Sequence, residues 1–308
     1  ADVFTINDND GELFEMYNYG GTVVVPASEL YSDPPNLPNF DGPSDYTGAI
    51  GAVRSTDVLT LELDNVDVPG PQPVITTVRD VLPAGLPALQ SFGELLRVAC
   101  ADVLDIGPSE IQVGLQPERV HGERSARLFI ADALENGAGY ATHLARPDVL
   151  DEVFGRIRGS IGPRYESSPH AEVCDVSCPD CLRSYDNRSL HPNLDWRLAL
   201  DVAELASGLP LSTARWLDLS QARAEAFARA YAREALRLEG LWGVRDRQSG
   251  KIAFFGHPLW RNDSLFYVPQ QAEAELAARS QGASAVAAFD LFTLTRMPAN
   301  VAAWLSAS

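Results

Sequence analysis

The stretch "HAEVCDVSCPDCLRSYDNRSLH", residues 170 to 191, holds three of the chain's four cysteines within eight positions and a histidine at each end. Its spacing is His-x3-Cys-x3-Cys-x2-Cys, from His170 through Cys174 and Cys178 to Cys181. Thiols crowded in this way can coordinate a metal, run redox chemistry or lie buried. Zinc takes four nitrogen or sulfur donors in a tetrahedron, and the "CPDC" step is a knuckle that closes two thiolates on one ion. A thioredoxin-type pair would sit at the start of a helix after a strand and would leave the third thiol unexplained. The spacing therefore favours Zn2+. The candidates for a fourth donor are His170, His191, Glu172 and Cys100. Cys100 falls on the apolar face of a helix with Phe92 and Leu96, where cysteine behaves as a small hydrophobe. His170 ranks first and His191 second, because His191 lies ten residues past Cys181 and the chain would have to double back. A water-completed site would permit Lewis-acid catalysis, but no HExxH-type base accompanies it. No catalytic residue is assigned.

A chain of 308 residues buries enough surface to fold without a staple, so a metal here must order a segment and not the whole. No apolar run approaches the length of a membrane helix. The opening "ADVFTINDNDGELF" has no basic region and no apolar core, so it is neither a signal peptide nor an ordinary gene start, and an excised piece of a longer chain is expected. Four cysteines, three of them clustered, do not form a secreted disulfide framework; a reducing cytoplasm is the expected compartment. The net charge is −18, and it is uneven: residues 1 to 150 carry 7 arginines against 23 carboxylates, whereas residues 201 to 308 balance at 11 each. Such a chain repels a phosphate backbone as a whole, so any DNA contact must be local.

Turn-forming stretches ("NDNDG", "SDPPNLPNFDGPSD", "VPGPQP") separate short β-prone runs such as "TVVVPA" and "VLTLEL" up to about residue 75. Leu89, Phe92, Leu96, Ala99 and Val103 then fall at helical spacing, with Ser91 and Glu94 placed as a capping box. Strands are expected at 109 to 116 and 126 to 132, a helix broken near Pro147 at 138 to 158, and a helix at 194 to 208 ending at Gly208. Beyond it, a long helix "SQARAEAFARAYAREALRLE", a hairpin turning at "QSGK", a polar helix near 270 to 281 and a buried strand "AVAAFDLFTL" form a smaller unit.

Other motifs are weaker. "ENGAGYATHL" follows a strand and opens a helix, but lacks the third glycine of a dinucleotide fingerprint and the GK[ST] of a P-loop, so it reads as a tight turn. No P-loop or acidic helicase box occurs, so any motor lies elsewhere. "FFGHPLWRND", with His257, Trp260 and Arg261, reads first as packing and second as a base-stacking patch. Glu225, Asp246, Lys251 and Asp290 match no nuclease spacing, and His121 and His143 receive no role. Arg183 and Arg188, beside the cysteines, read either as solvated or paired with Asp186 and Asp195, or as phosphate contacts.

"CDVSCPDCLRSYDNRSLHPNLDWRLAL", preceded by "LFIADALENGAGYATHL" and "INDNDGELF", resembles the zinc-binding C-terminal domain of MrfA-like superfamily-two DNA helicases and of phage-defence (DISARM-type) helicase-associated proteins. The resemblance spans about residues 1 to 207. That family commonly has a further cysteine where this chain has Glu172, so its metal role carries over to Cys174, Cys178 and Cys181 alone. The resemblance implies a mixed α/β accessory domain, residues 1–207, with an embedded structural zinc knuckle; with the smaller C-terminal α/β unit read from the residue pattern, residues 208–308, the expected fold class is α+β. The resemblance also implies an accessory role to a DNA helicase in DNA repair or antiviral defence, on the same chain as the motor or in a partner subunit. Single-stranded or branched DNA is the expected ligand, with Arg183 and Arg188 as its contacts and no membrane. A protein-interaction module without DNA contact, or a metal-dependent nuclease in the C-terminal unit, are the alternatives.

Overall fold

In the computed structural model, residues 1–7, 13–19, 22–24, 43–63, 75–120 and 122–307 are described. Helix α1 (Gly85–Leu104) is the element on which the others converge. Pro87 lies in its first turn, where its missing N–H costs nothing, and Asp105 ends it in the left-handed region with its N–H on the Ala101 carbonyl. Phe92, Leu95, Leu96, Ala99 and Cys100 are buried. Against it pack helix α6 (Trp196–Ala206), helix α3 (Pro147–Arg156) and the antiparallel sheet formed by β6 (Val58–Leu61), β7 (Ile111–Val120) and β8 (Glu123–Asp132), in the order β6-β8-β7. Two small antiparallel sheets precede it: β1 (Asp2–Asn7) pairs with β5 (Ile50–Ser55), and β2 (Phe14–Tyr19) lies between β3 (Thr22–Val24) and β4 (Tyr46–Gly48).

After β8 the chain enters α2 (Tyr140–Leu144) and, past Pro147, α3, which continues through a π turn (Ile157–Ile161) into α4 (Gly162–Glu166). Ile157, Ile161 and Tyr165 stay buried along this run. A single helical turn, α5 (His170–Val173), then leads into the cysteine loop, and α6 carries the chain back across α1.

Helix α7 (Ala214–Ala230) opens the C-terminal part. Its sheet has the order β12-β11-β10-β9, from β9 (Glu234–Leu238), β10 (Leu241–Arg245), β11 (Ile252–Gly256) and β12 (Val286–Asp290). The first three strands are antiparallel neighbours, while β12 joins β11 in parallel through the crossover helix α8 (Pro269–Ser280). Helices α9 (Leu291–Arg296) and α10 (Pro298–Ser306) follow. One buried apolar cluster runs from Ile75 to Leu305, so the residues on the two sides of position 207 share a core. The chain is α+β, and among the described residues no helix is long and apolar enough to cross a membrane.

Three local readings need correction. Ser91 does not cap α1: it sits inside the helix, where its hydroxyl accepts from the Asp195 N–H (2.9 Å), and Glu94 instead pairs with Arg97. The long helix expected from 220 to 239 ends at Ala230, because Ala232 turns left-handed (φ 51°) and "EALRL" becomes β9 against β10. Helical propensity there loses to a complete strand ladder. The buried strand "AVAAFDLFTL" stops at Asp290, whose carboxylate accepts from the Thr293 N–H and starts α9. The stretches "NDNDG", "SDPPNLPNFDGPSD" and "VPGPQP", as well as His121, fall largely or wholly outside the described residues.

Candidate metal centre

The ligand atoms of His170, Cys174, Cys178 and Cys181 all lie within 4.8 Å of one another, the one such grouping of His, Cys, Asp or Glu among the described residues. Cys174 Sγ stands 3.8 Å and Cys178 Sγ 3.7 Å from Cys181 Sγ. Two sulfurs at about 2.3 Å from one ion in a tetrahedron stand about 3.8 Å apart, so these separations are those of a shared zinc ion. They are also far beyond a disulfide bond, and all four cysteines are unpaired.

The local backbone explains the convergence. The Cys178 and Cys181 pair closes a tight turn: Cys181 N–H donates to the Cys178 carbonyl (3.1 Å), and the Cys178 N–H donates to Cys181 Sγ (3.1 Å). Helix α5 places His170 and Cys174 one turn apart, with the Cys174 N–H on the His170 carbonyl (2.8 Å). Both positions therefore face the same side.

His170 is oriented by its surroundings. Its Nδ1 lies 2.8 Å from the Tyr165 carbonyl, which can only accept, so the proton sits on Nδ1. Nε2 then carries the lone pair, and it is fully buried with no hydrogen-bond partner. A histidine held by a backbone carbonyl on one nitrogen and open on the other is the arrangement of a metal ligand. The ring stacks on Tyr165 (5.1 Å between centroids) and meets the edge of Trp196 (5.6 Å). Those two aromatics also hold the thiol loop: Tyr165 Oη–H donates to the Cys181 carbonyl and Trp196 Nε1–H to the Cys174 carbonyl, both at 3.1 Å. Neither was singled out in the sequence, since each acts through a backbone atom that spacing cannot reveal.

Electrostatics agree with the geometry. Burial, reinforced by the neighbouring sulfurs, pushes the Cys174 thiol far above the usual range, and burial pushes Cys181 up to about 11. Three adjacent thiolates can exist here only beside a compensating cation. The donor set fits zinc, and its four donors leave no open position, which is the pattern of a structural site.

The other candidates lie elsewhere. His191 Nε2 sits 3.0 Å from both the Ser184 carbonyl and Asn187 Oδ1, and so donates within the loop after the cysteines. Asn187 completes that loop, its Oδ1 accepting from the Ser184 N–H and its Nδ2 donating to the Leu182 carbonyl, both at 2.8 Å. Glu172 is exposed and outside the group, and Cys100 is buried in the core, its thiol pushed up to about 12 by burial.

Arg183 is half-buried and donates to Ser177 Oγ (2.9 Å); Arg188 is exposed, its guanidinium 4.4 Å above the exposed ring of Tyr185. Neither pairs with Asp186 or Asp195 among the described residues. The glycine turn at 136 to 139 is filled by the chain itself: the Asp132 carboxylate accepts from the N–H groups of Ala138, Tyr140 and Ala141, so no ligand anion is needed. His257 and Trp260 are buried in packing contacts. Glu225, Asp246, Lys251 and Asp290 do not converge: Asp246 faces Arg233 (3.3 Å), Lys251 donates to the Trp304 and Ala307 carbonyls, and Asp290 caps α9.

Comparison with known proteins agrees on the class of the site. Residues 92–182 match the MrfA Zn-binding domain family. The Druantia protein DruE of Escherichia coli (strain UMEA 4076-1) is 29% identical over 157 residues, which is 49% of this chain but only 8% of that protein. No solved structure matches. The segment that brings the three cysteines and His170 together is thus similar to the MrfA Zn-binding domain.

Proposed function

We propose that the chain is an accessory part of a DNA helicase system, in which a structural zinc held by Cys174, Cys178, Cys181 and His170 orders a nucleic-acid-handling loop beside the motor. The observation that carries this reading is what the metal supports. The loop after Cys181 is fixed by Asn187 and His191, and it presents Arg188 on Tyr185, with Arg183 at its base. An arginine and an aromatic held together on a rigid loop contact a phosphate and a base in single-stranded or branched DNA. The likeness to the MrfA Zn-binding domain and to a Druantia protein supports a helicase partner, on the same polypeptide or another, in defence or repair. Four unpaired cysteines support a reducing cytoplasm. On this reading residues 1–207 form the accessory domain and residues 208–308 an extension built onto the same core.

The test is single-strand binding by the zinc-loaded chain across a salt series. Replacing Arg183 and Arg188 together with glutamate is expected to weaken binding and flatten the salt dependence by about one unit per lost phosphate contact, with zinc content unchanged. If the double variant binds like the parent at every salt concentration, the loop is not a DNA contact. The net acidity of residues 1 to 150 then makes a protein-interaction module the better account.

A further inference from the structure

A cleft of about 310 Å³ opens where three distant stretches meet: Arg79 and Leu82 before α1, Pro192 and Asn193 of the metal-ordered loop, and Arg296 and Met297 at the end of α9. It shares Thr77 and Leu86 with a neighbouring groove of about 540 Å³ along α1, walled by Leu89, Leu115, Leu128 and Leu190. We infer that this double cleft holds one nucleotide unit, its phosphate on Arg79 and Arg296 and its base in the apolar groove. The site is separate from the Arg183 and Arg188 loop. It deepens the nucleic-acid reading and rests on it only for the choice of ligand class.

Charge is the first reason. Residues 1 to 150 hold 7 arginines among 23 carboxylates, and Arg54, without an ion pair, is instead spent on the Ala133 carbonyl and Gln112 Oε1. Arg79 has less: among the described residues its guanidinium donates to Met297 Sδ (2.8 Å), a weak acceptor, and ion-pairs with no acid. Arg296 donates to the Leu194 carbonyl (2.7 Å), and its Nε is buried without a partner. Asp195 and Asp175 act on Arg296 from a longer range, opposed by Arg183 and Arg223. Two guanidiniums lining one cleft, with donors to spare, suit the several oxygens of a phosphate.

Shape is the second reason. A phosphate alone would need only the smaller cleft, but the adjoining groove is apolar and of the size that takes a small organic ligand. Nucleobases bury their faces against apolar walls and read polar groups at their edges. Gln90 supplies such a group: it lines the groove, its Oε1 accepts from Asn193 Nδ2 (2.9 Å), and its amide N–H groups have no acceptor among the described residues. Asn193 belongs to the metal-ordered loop and Arg296 to the C-terminal extension, so the cleft exists only when all three parts are in place. This gives residues 208–308 a task that no motif in them announces.

The experiment uses the full zinc-loaded chain with two probes, a nucleoside monophosphate and a single-stranded oligonucleotide, each titrated alone and in competition. Arg79→Glu and Leu86→Glu both change exposed side chains, so zinc content and melting midpoint should stay at parental values. Each variant should weaken binding by at least about tenfold, since a charge-assisted contact to phosphate is lost in one and an apolar wall is charged in the other. Loss with the oligonucleotide assigns the cleft to a strand; loss with the monophosphate alone assigns it to a free nucleotide. If neither substitution moves the binding of either probe, or neither probe binds the parent, the inference is overturned. Failure of the Arg183 and Arg188 double variant to weaken binding would remove the loop contact and leave this site standing.

Discussion

Two polar clusters lie buried along α6, one at its start and one around its middle, and they are finished in different ways. At its middle Asp201, fully buried, accepts from Trp216 Nε1–H (2.7 Å), pairs with Arg215 and lies 3.3 Å from His257 Nε2. The Leu259 N–H donates to His257 Nδ1 (3.0 Å), so the ring's proton is on Nε2 and faces the carboxylate. Every charge there has its opposite within the chain, and the cluster ties α6 to α7 and to the loop after β11. At the near end, Trp196 borders three sulfurs and an imidazole lone pair, all electron-rich and none with a protein counter-charge in the group. The first cluster finds its counter-charges inside the chain, although His257 Nε2 makes no hydrogen bond there; the second, electron-rich throughout, calls for a cation. A buried polar group is satisfied one way or another; where the chain supplies no partner, it points to what must be supplied from outside.

The largest expected effect follows from that contrast. Cys178→Ser and Cys181→Ser should abolish stoichiometric zinc and unfold the segment from α5 to the start of α6, since binding free energies of about 10 to 16 kcal/mol at such sites are folding free energy. Cys100→Ser, with zinc retained, should cost only about 1 to 3 kcal/mol for burying a hydroxyl in an apolar core. Metal analysis and denaturant unfolding on the three variants check the order. A zinc-free Cys178→Ser protein as stable as the parent would break the comparison.

Next is the self-sufficient cluster. Asp201→Asn leaves the nearly buried Arg215 without its closest counter-charge, though Glu204 and Glu166 remain beside it. The loss should be about 2 to 4 kcal/mol in unfolding free energy, toward the low end of what breaking a buried pair costs because those partners persist. Zinc content should not change, and a loss of zinc on this substitution would mean that the two clusters along α6 are one site and not two.

A smaller effect sharpens the picture between them. Asp195 caps α6, its carboxylate accepting from the Arg197 N–H (2.9 Å), yet burial pushes it up to about 7. A carboxyl raised in the folded state binds its proton there before the unfolded chain does. Its contribution to stability is therefore greatest in acid and is lost as pH rises from about 4 to about 7. Asp195→Asn, which keeps the cap, should gain on the parent over that window and hold a constant lead above it. Paired unfolding curves from pH 5 to 8 would show this; a difference independent of pH would place the carboxylate in a more solvated setting.

Much of this was legible in the sequence, for reasons that differ by element. α1, β8, α6 and the hairpin at "QSGK" follow from apolar periodicity and turn residues, which act locally. The thiols were legible because the chemistry of zinc limits spacing. What orders His170 was not: Tyr165 and Trp196 act through stacking and through bonds to the carbonyls of Cys181 and Cys174, set only by tertiary packing. β9 was hidden by alanine-rich helical propensity that a strand partner overrides. The cleft at Arg79 and Arg296 joins positions more than two hundred residues apart, beyond any local pattern.

The central claim is that the electron-rich cluster is one zinc site with three sulfurs and one nitrogen. Zinc-edge X-ray absorption on the full chain, with metal analysis on the same sample, tests it most directly. The account predicts one zinc per chain, scattering from three sulfurs at about 2.3 Å and one nitrogen at about 2.0 Å, and loss of the nitrogen shell with weaker zinc retention in His170→Ala but not in His191→Ala. A metal-free folded protein, or a nitrogen shell that survives His170→Ala and vanishes in His191→Ala, would contradict it.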